Sequence, residues 1–449
     1  MKETKNGFTS KIGFVLAAAG SAVGLGNLWR FPYLAAKYGG GIFLLVYVIL
    51  AVTFGSTLLI TQIAVGRRTG KSCMNAYSDL DRRFKPLGWL EAFVPAIILP
   101  YYCVIGGWVL KYFSVYIAGK AAPMAADSGN YFNEFIAHAG QPTVFFLIYV
   151  ILTAAVILLG VQKGIETVSK FLMPVLVIMT IGIAVYTLTC DGALAGLVYY
   201  VKPNFSEFSI KTVVAAMGQL FYSLSIAMGI MVTYGSYMRK EDNIQSSVWQ
   251  IEGFDSGIAI LAGMIIVPSV FAFSGGDSAA LNAGPGLMFV TLPKVFDSMP
   301  GGAVVGLVFF LLVSLAALTS SISLMETVVH VVMEKWKLGR TPAVAAVLVF
   351  TIAVGMLSVL GYSTLSEVTV FGMQFLDFFD FISNNVIMPI VALLLCILVG
   401  YVVKSKVVED ELECSGYKFG LKKAYRVMLR YIAPVCLLVI FVSSVFGLV

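Results

Sequence analysis

Charge is scarce in this chain. Only 12% of its 449 residues are Asp, Glu, Lys or Arg, whereas 59% are hydrophobic, which leaves too little polar surface to cover a soluble protein of this length. Histidine is scarcer still, at two residues. No HExxH, GxxxxGKS/T or GxSxG pattern occurs, so the parts of a zinc hydrolase, a nucleotide-driven pump or a serine esterase are missing. The six cysteines, at 73, 103, 190, 396, 414 and 436, form no CxxC, which argues against disulfides and metal clusters. The chain is therefore expected to be no enzyme and to hold no organic cofactor.

What is abundant is the long apolar run. Crossing about 30 Å of hydrocarbon takes roughly 20 apolar residues. Such runs fall near 11–36, 41–65, 87–117, 143–160, 166–189, 212–237, 251–273, 301–333, 342–360, 368–402 and 427–448. They predict an all-α integral membrane protein of eleven transmembrane helices, here numbered as spans 1 to 11. The opening MKETKNGFTSK is read as the approach to span 1 rather than as a cleavable signal, because the apolar run continues past any cleavage point. Basic residues gather in alternate loops: Lys2, Lys5 and Lys11 before span 1, Arg67 to Lys85 between spans 2 and 3, Lys335, Lys337 and Arg340 after span 8, and Lys404 to Lys423 after span 10. This bias puts the N-terminus in the cytoplasm, the C-terminus outside and the protein in the cell's inner (plasma) membrane. It also accounts for the net charge of +6 and leaves no patch for nucleic acid. Residues 118–141 and 190–211 are read as outer loops.

Two spans are spoiled at their centres. Span 1 carries Gly20, Gly24, Gly26 and Asn27, then Arg30 and Pro32. Glycine inside a helix costs about 1 kcal/mol relative to alanine. Close packing against a neighbouring helix is the competing explanation for the glycines, but an arginine within a span is a functional candidate by default. Span 6 reads Phe221-Tyr222-Ser223-Leu224-Ser225-Ile226-Ala227-Met228-Gly229, with hydroxyls where lipid would favour leucine. Each broken span opens a set of five, and an odd number of crossings turns the second set upside down. The expected organisation is a tail (1–10), a first repeat (11–190), an outer loop (191–211), an inverted second repeat (212–402), a cytoplasmic loop (403–426) and a last span (427–449). Half-helix N-termini at such breaks attract a carboxylate, and freed carbonyls take a hard cation.

The stretch from Gly20 to Pro32, with Gly39-Gly-Gly-Ile-Phe43, Tyr101-Tyr102, Trp108, Gln219 and Leu318-Thr319-Ser320-Ser321, resembles the neurotransmitter:sodium symporter family, whose bacterial members have the leucine-transporter fold and move amino acids with sodium. The resemblance implies a first sodium site from the Ala22 carbonyl, Asn27, Ser223, Asp255 and the substrate carboxylate. It implies a second from the carbonyls of Gly20, Val23 and Ala316 with the hydroxyls of Thr319 and Ser320. Both sets are all oxygen, which suits a hard cation. The substrate carboxylate would meet the N–H groups of Leu25 and Gly26 and the Tyr102 hydroxyl, and the ammonium would meet carbonyls at the breaks, Ala22 included. The side chain would face Ile98, Ile105, Tyr222, Ser225, Met228, Ser320 and Leu324. No charge points into that pocket, so a neutral, hydrophobic or aromatic amino acid is expected. In chloride-dependent animal relatives an asparagine stands where this chain has Asp255, so the carboxylate here is expected to replace chloride.

The resemblance also implies gates: Arg30 with Asp377 outside, Asp380 being nearby, and Lys5 with Glu334 inside, helped by Phe8. Lysine and phenylalanine replace the family's arginine and tryptophan, which predicts a weaker inner latch. Glu326 is expected to be a buried acid without another evident partner, taking over from the acid that relatives carry at Gln62 while the hydrogen-bonded pair of the two positions remains. Two rival functions remain in view: a ligand sensor or channel built on a transporter frame, and a proton-coupled amino acid permease of the same fold.

Overall fold

The computed structural model describes residues 7–274 and 284–447. Among the described residues β pairing is confined to two isolated bridges, Gly40 with Pro203 and Val370 with Met373. Nine helices among the described residues are long and apolar enough to cross a bilayer: Gly41–Thr69 (span 2), Arg82–Ile117 (span 3), Gly140–Leu158 (span 4), Val161–Leu188 (span 5), Ile244–Ser274 (span 7), Gly302–Trp336 (span 8), Arg340–Leu360 (span 9), Phe375–Val402 (span 10) and Lys422–Val445 (span 11). Lys11–Ala22 and Gly26–Lys37, bent from each other by 54°, are the two halves of span 1. Ile210–Ser223 and Ile230–Tyr237, each too short to cross alone at 1.5 Å per residue, form a broken span 6. With these two, the described residues hold the eleven spans that the sequence predicts. Span 7 starts at Ile244 rather than at 251, and the outer loops contain helices of their own, Ala121–Ala126, Ser128–Ala137 and Ala193–Val201.

Side-chain size sorts the spans into rim and core. In span 5 Phe171, Ile178 and Val185 are exposed, and their seven-residue spacing draws one apolar stripe along the helix. The first half of span 1 has no such stripe: Ala17, Ala18, Ala19, Gly20, Ser21 and Ala22 are all buried, small enough to let neighbouring backbones close in. Span 8 packs along spans 1 and 3, and the second half of span 6 along span 2. The two breaks therefore meet in the middle of the bundle.

Candidate ion and ligand site at the broken helices

The break in span 1 is held by its own side chains. Asn27 Oδ1 accepts the Gly24 N–H at 3.0 Å, supplying the partner that the interrupted helix cannot. The Asn27 amide then donates to Ser223 Oγ at 3.0 Å and to Asp255 Oδ1 at 2.8 Å. Ser223 Oγ donates to the same carboxylate oxygen at 2.7 Å, and Tyr47 O–H donates to Asp255 Oδ2 at 3.1 Å. Asn27 and Asp255 are completely buried. Every partner of this carboxylate is neutral, and among the described residues it forms no ion pair. The structure thus brings together three of the four chain residues expected at the first ion site, with Ala22 lining the cavity beside them. Tyr47 is an addition that sequence reasoning missed.

The second expected site gathers around one hydroxyl. Most span 8 hydroxyls bond back to their own helix, as Ser314 does to the Phe310 carbonyl at 2.7 Å and Ser323 to the Thr319 carbonyl at 3.0 Å, the usual habit in membrane helices. Ser320 Oγ instead lies 3.4 Å from the Gly20 carbonyl oxygen, 3.2 Å from those of Ser21 and Val23, and 3.3 Å from that of Ala316. Thr319 Oγ1 is 2.9 Å from the Ala316 oxygen. One hydroxyl has one proton to donate, so this crowd of oxygens exceeds what it can satisfy. Such a cluster has the chemistry of a hard-cation cradle. No group of three or more His, Cys, Asp or Glu side chains that could hold a metal occurs among the described residues.

Between the two clusters lies the ligand cavity. Its lining includes Ser21, Ala22, Gly24, Leu25, Gly26, Asn27, Ile98, Tyr102, Tyr222, Ser223, Ser225, Met228, Ile230, Ser320 and Leu324. Ile105 is the expected lining residue that falls elsewhere: it lines a larger outer cavity of about 420 Å³ together with Arg30, Asp377 and Asp380. Tyr102 and Tyr222 face both cavities and so form the partition. The Leu25 N–H reaches the Tyr102 hydroxyl at 3.4 Å. A Cβ at Gly24 would stand 2.7 Å from Ser320 Oγ and 2.9 Å from the Tyr102 hydroxyl, so a side chain there would force both hydroxyls to move.

The break in span 6 has different supports. Ser225 and Ala227 adopt φ of 53° and 61°, a left-handed conformation that costs non-glycine residues energy and needs outside help. Gln62 in span 2 accepts the Ala227 N–H at 3.3 Å, and Glu91 in span 3 accepts the Gly229 N–H at 3.2 Å and the Gln62 amide at 2.8 Å. This corrects the expectation for Gln62, whose acidic partner is Glu91 and not Glu326. Glu326 does have a partner: it forms an ion pair with Arg340, the first residue of span 9, and accepts the Tyr237 hydroxyl at 2.9 Å.

The residues expected at the gates are only partly brought together. Among the described residues Arg30 forms no ion pair; its guanidinium lies 5.6 Å from the Tyr222 ring centre. Asp380 accepts from Tyr101 and Asn384, at 3.0 and 2.6 Å, and Asp377 lies 3.4 Å from the Tyr362 hydroxyl. On the inner side Lys5 lies outside the described residues, and Glu334 accepts the Ser72 N–H at 2.7 Å. Phe8 is buried edge-on against Phe14, Tyr234 and Tyr237. A second anchor, unread in the sequence, is Glu166 at the start of span 5, which accepts the Thr9 N–H at 2.8 Å and the Ser10 hydroxyl at 3.1 Å. A lone acid at the mouth of an apolar span is the signal that marks it.

Known proteins share this architecture. The profile of the Sodium:neurotransmitter symporter family matches residues 5–134 and 126–448. The chain is 34% identical over 444 residues to YhdH of Bacillus subtilis, an uncharacterised sodium-dependent transporter, covering 98% of this chain and 97% of that one. It is 33% identical over 455 residues to another such transporter, from Haemophilus influenzae, covering 98% of both. Among solved structures, MhsT in complex with L-phenylalanine superposes with a TM-score of 0.87 at 36% identity, over 98% of this chain and 99% of that one.

Proposed function

Because the chain belongs to the sodium:neurotransmitter symporter family and is a sodium-dependent membrane transporter, not an enzyme, we propose that it imports a neutral amino acid with a large hydrophobic or aromatic side chain, driven by sodium and without chloride. Its fold is the leucine-transporter fold, two inverted sets of five helices with spans 1 and 6 broken. The observation that carries the proposal is Asp255, a buried carboxylate with three neutral donors and no basic partner among the described residues. A buried unpaired charge is costly, and a sodium ion between Asp255, Asn27, Ser223 and the substrate carboxylate would compensate it. With the negative charge built into the chain, chloride has no task.

In this reading the substrate carboxylate meets the N–H groups of Leu25 and Gly26, at the positive end of the outer half of span 1, and the Tyr102 hydroxyl. The ammonium meets carbonyls freed at the breaks. Ile98, Met228, Leu324 and the Tyr222 ring receive the side chain, and no charged residue lines this cavity, so acidic and basic amino acids leave a charge unmatched. MhsT holding phenylalanine supports a large apolar side chain, and the thioether of Met228 adapts to several shapes. A second sodium sits among Gly20, Val23, Ala316, Thr319 and Ser320. Closure of Arg30 onto Asp377 or Asp380 seals the outer cavity above Tyr222, and release at the phenylalanine-plugged tail opens the cytoplasmic side.

The test is thermal stability of the purified protein across the twenty amino acids, followed by uptake into vesicles. A ligand that binds the native state raises its stability. Large apolar amino acids are expected to do so only with sodium, and uptake is expected to persist with gluconate in place of chloride. Stabilisation without sodium, or uptake that collapses in gluconate, would overturn the proposal.

A further inference from the structure

Spans 3, 8 and 9 enclose a groove on the outer surface of the bundle, at the end that carries Lys85, Lys335 and Lys337. Its volume is about 290 Å³. Trp89, Phe93, Trp336 and Phe350 line it and are 42% to 62% exposed. Ala92 and Ala96 also line it, one turn apart on the same helix, and their small side chains make the hollow. From Trp89 to Ala96 the groove runs about 10 Å along span 3 at 1.5 Å per residue. Tryptophan marks the level of lipid headgroups, so the groove leads from the interface into the hydrocarbon.

The mouth of the groove is positively charged. Lys335 Nζ lies 4.8 Å from the Trp89 ring centre, a stacking that fixes the ammonium at the interface. Among the described residues Lys335, Lys337 and Lys85 have no carboxylate partner. Of the acids close in sequence to these lysines, Asp79 is paired with Lys71 and Asp81 with Arg83, and Glu334 turns to the Ser72 N–H rather than to a lysine. An apolar groove with unpaired cations at its mouth fits an amphiphile with an anionic head. A second copy of the chain fits badly, because a two-fold contact would bring the same lysines face to face.

We propose that this groove binds one anionic phospholipid, with its phosphate at Lys335 and an acyl chain laid along Ala92 and Ala96. The inference holds whichever amino acid is carried. Anionic lipid attraction falls about fivefold for each lysine removed near the surface.

Native mass spectrometry of the full chain with dioleoyl phosphatidylglycerol, against dioleoyl phosphatidylcholine, tests it. One phosphatidylglycerol is expected to stay bound in preference to phosphatidylcholine. Lys335→Ala should reduce that preference about fivefold. Ala92→Phe, which fills the hollow, should abolish retention of both lipids, with sodium-dependent thermal stabilisation showing that the variant is folded. Lys406→Ala, at an exposed lysine on the same side beyond span 10, should change nothing. Equal loss in Lys335→Ala and Lys406→Ala would reduce the effect to diffuse surface attraction and overturn the site. Retention that survives Ala92→Phe, or a dimer that this substitution disrupts, would overturn it as well.

Discussion

Asp255 is held by three neutral donors, and this arrangement makes its charge testable. Asp255→Asn keeps the shape and two possible hydrogen bonds but removes the negative charge from the proposed first sodium site. A charged contact of this kind contributes about 1.5–3 kcal/mol, so the sodium concentration for half-maximal uptake should rise about tenfold to a hundredfold. Sodium titration of uptake, with and without chloride, measures it; an unchanged midpoint would remove Asp255 from the ion site. The site residues differ in how far the sequence reveals them. Asn27 lies in a contiguous glycine-rich motif, and Ser223 in a second run of small polar residues, so both are legible. Tyr47, Glu91, Glu166 and Arg340 are not, because each acts on a partner brought near only by folding: Tyr47 and Asp255 are 208 positions apart, and Glu166 and Thr9 are 157 apart. Composition marks a buried acid as costly but does not say which helix faces it.

At the scale of whole helices, the breaks are readable from local sequence because glycine and polar residues spoil a helix wherever they stand. Span counts are readable too, since hydropathy needs no tertiary information. The helices between spans 3 and 4 and between spans 5 and 6 are hidden because they are too short, at six to ten residues, to register as spans, and the early start of span 7 is hidden by its mixed polarity. Two substitutions probe how the helices are held. Gly24→Ala places a methyl against Ser320 Oγ and the Tyr102 hydroxyl, pushing both hydroxyls out of the positions they hold at the cavity. It should abolish sodium-dependent stabilisation by substrate while leaving a folded, monodisperse protein, as thermal melts and size exclusion would report; preserved ligand stabilisation would count against the close approach. Arg340 ties span 9 to span 8 through Glu326 and to span 4 through the Ile157 carbonyl, at 2.6 Å. Because Glu326 is fully buried, Arg340→Met should destabilise by about 3–5 kcal/mol, with Glu326→Met in the same chain restoring much of the loss. Equal melting of the single and double variants would refute that pairing.

Across the whole molecule, residues between spans 10 and 11 clamp the end of the bundle where spans 2 and 6 finish. The buried Glu411 joins Arg67 at the end of span 2 to Lys240 after span 6, at 2.8 and 2.7 Å. Beside it Glu409 meets Arg426 at 2.6 Å, and this hydrogen-bonded guanidinium holds the Glu409 carboxyl below its ordinary value of 4.5. A carboxyl lowered by folding stabilises fully above its unfolded value, and the gain disappears as pH falls through the folded one. Melting temperature should therefore drop as pH falls below the ordinary carboxyl value of 4.5, less steeply in Glu409→Gln than in the parent; parallel curves would exclude the pair as a source of acid sensitivity. The break in span 1 carries a consequence of another kind. Gly20 and Val23 belong to one proposed ion site, Ala22 and Asn27 to the other, so a single short piece of backbone serves both. An ion that orders this segment lowers the entropy its neighbour must lose on binding, and the resulting cooperativity is reciprocal: each ion must tighten the other by the same factor. Sodium binding isotherms should then be sigmoidal, and Thr319→Ala, which touches one cradle and not the ligand cavity, should weaken occupancy of both.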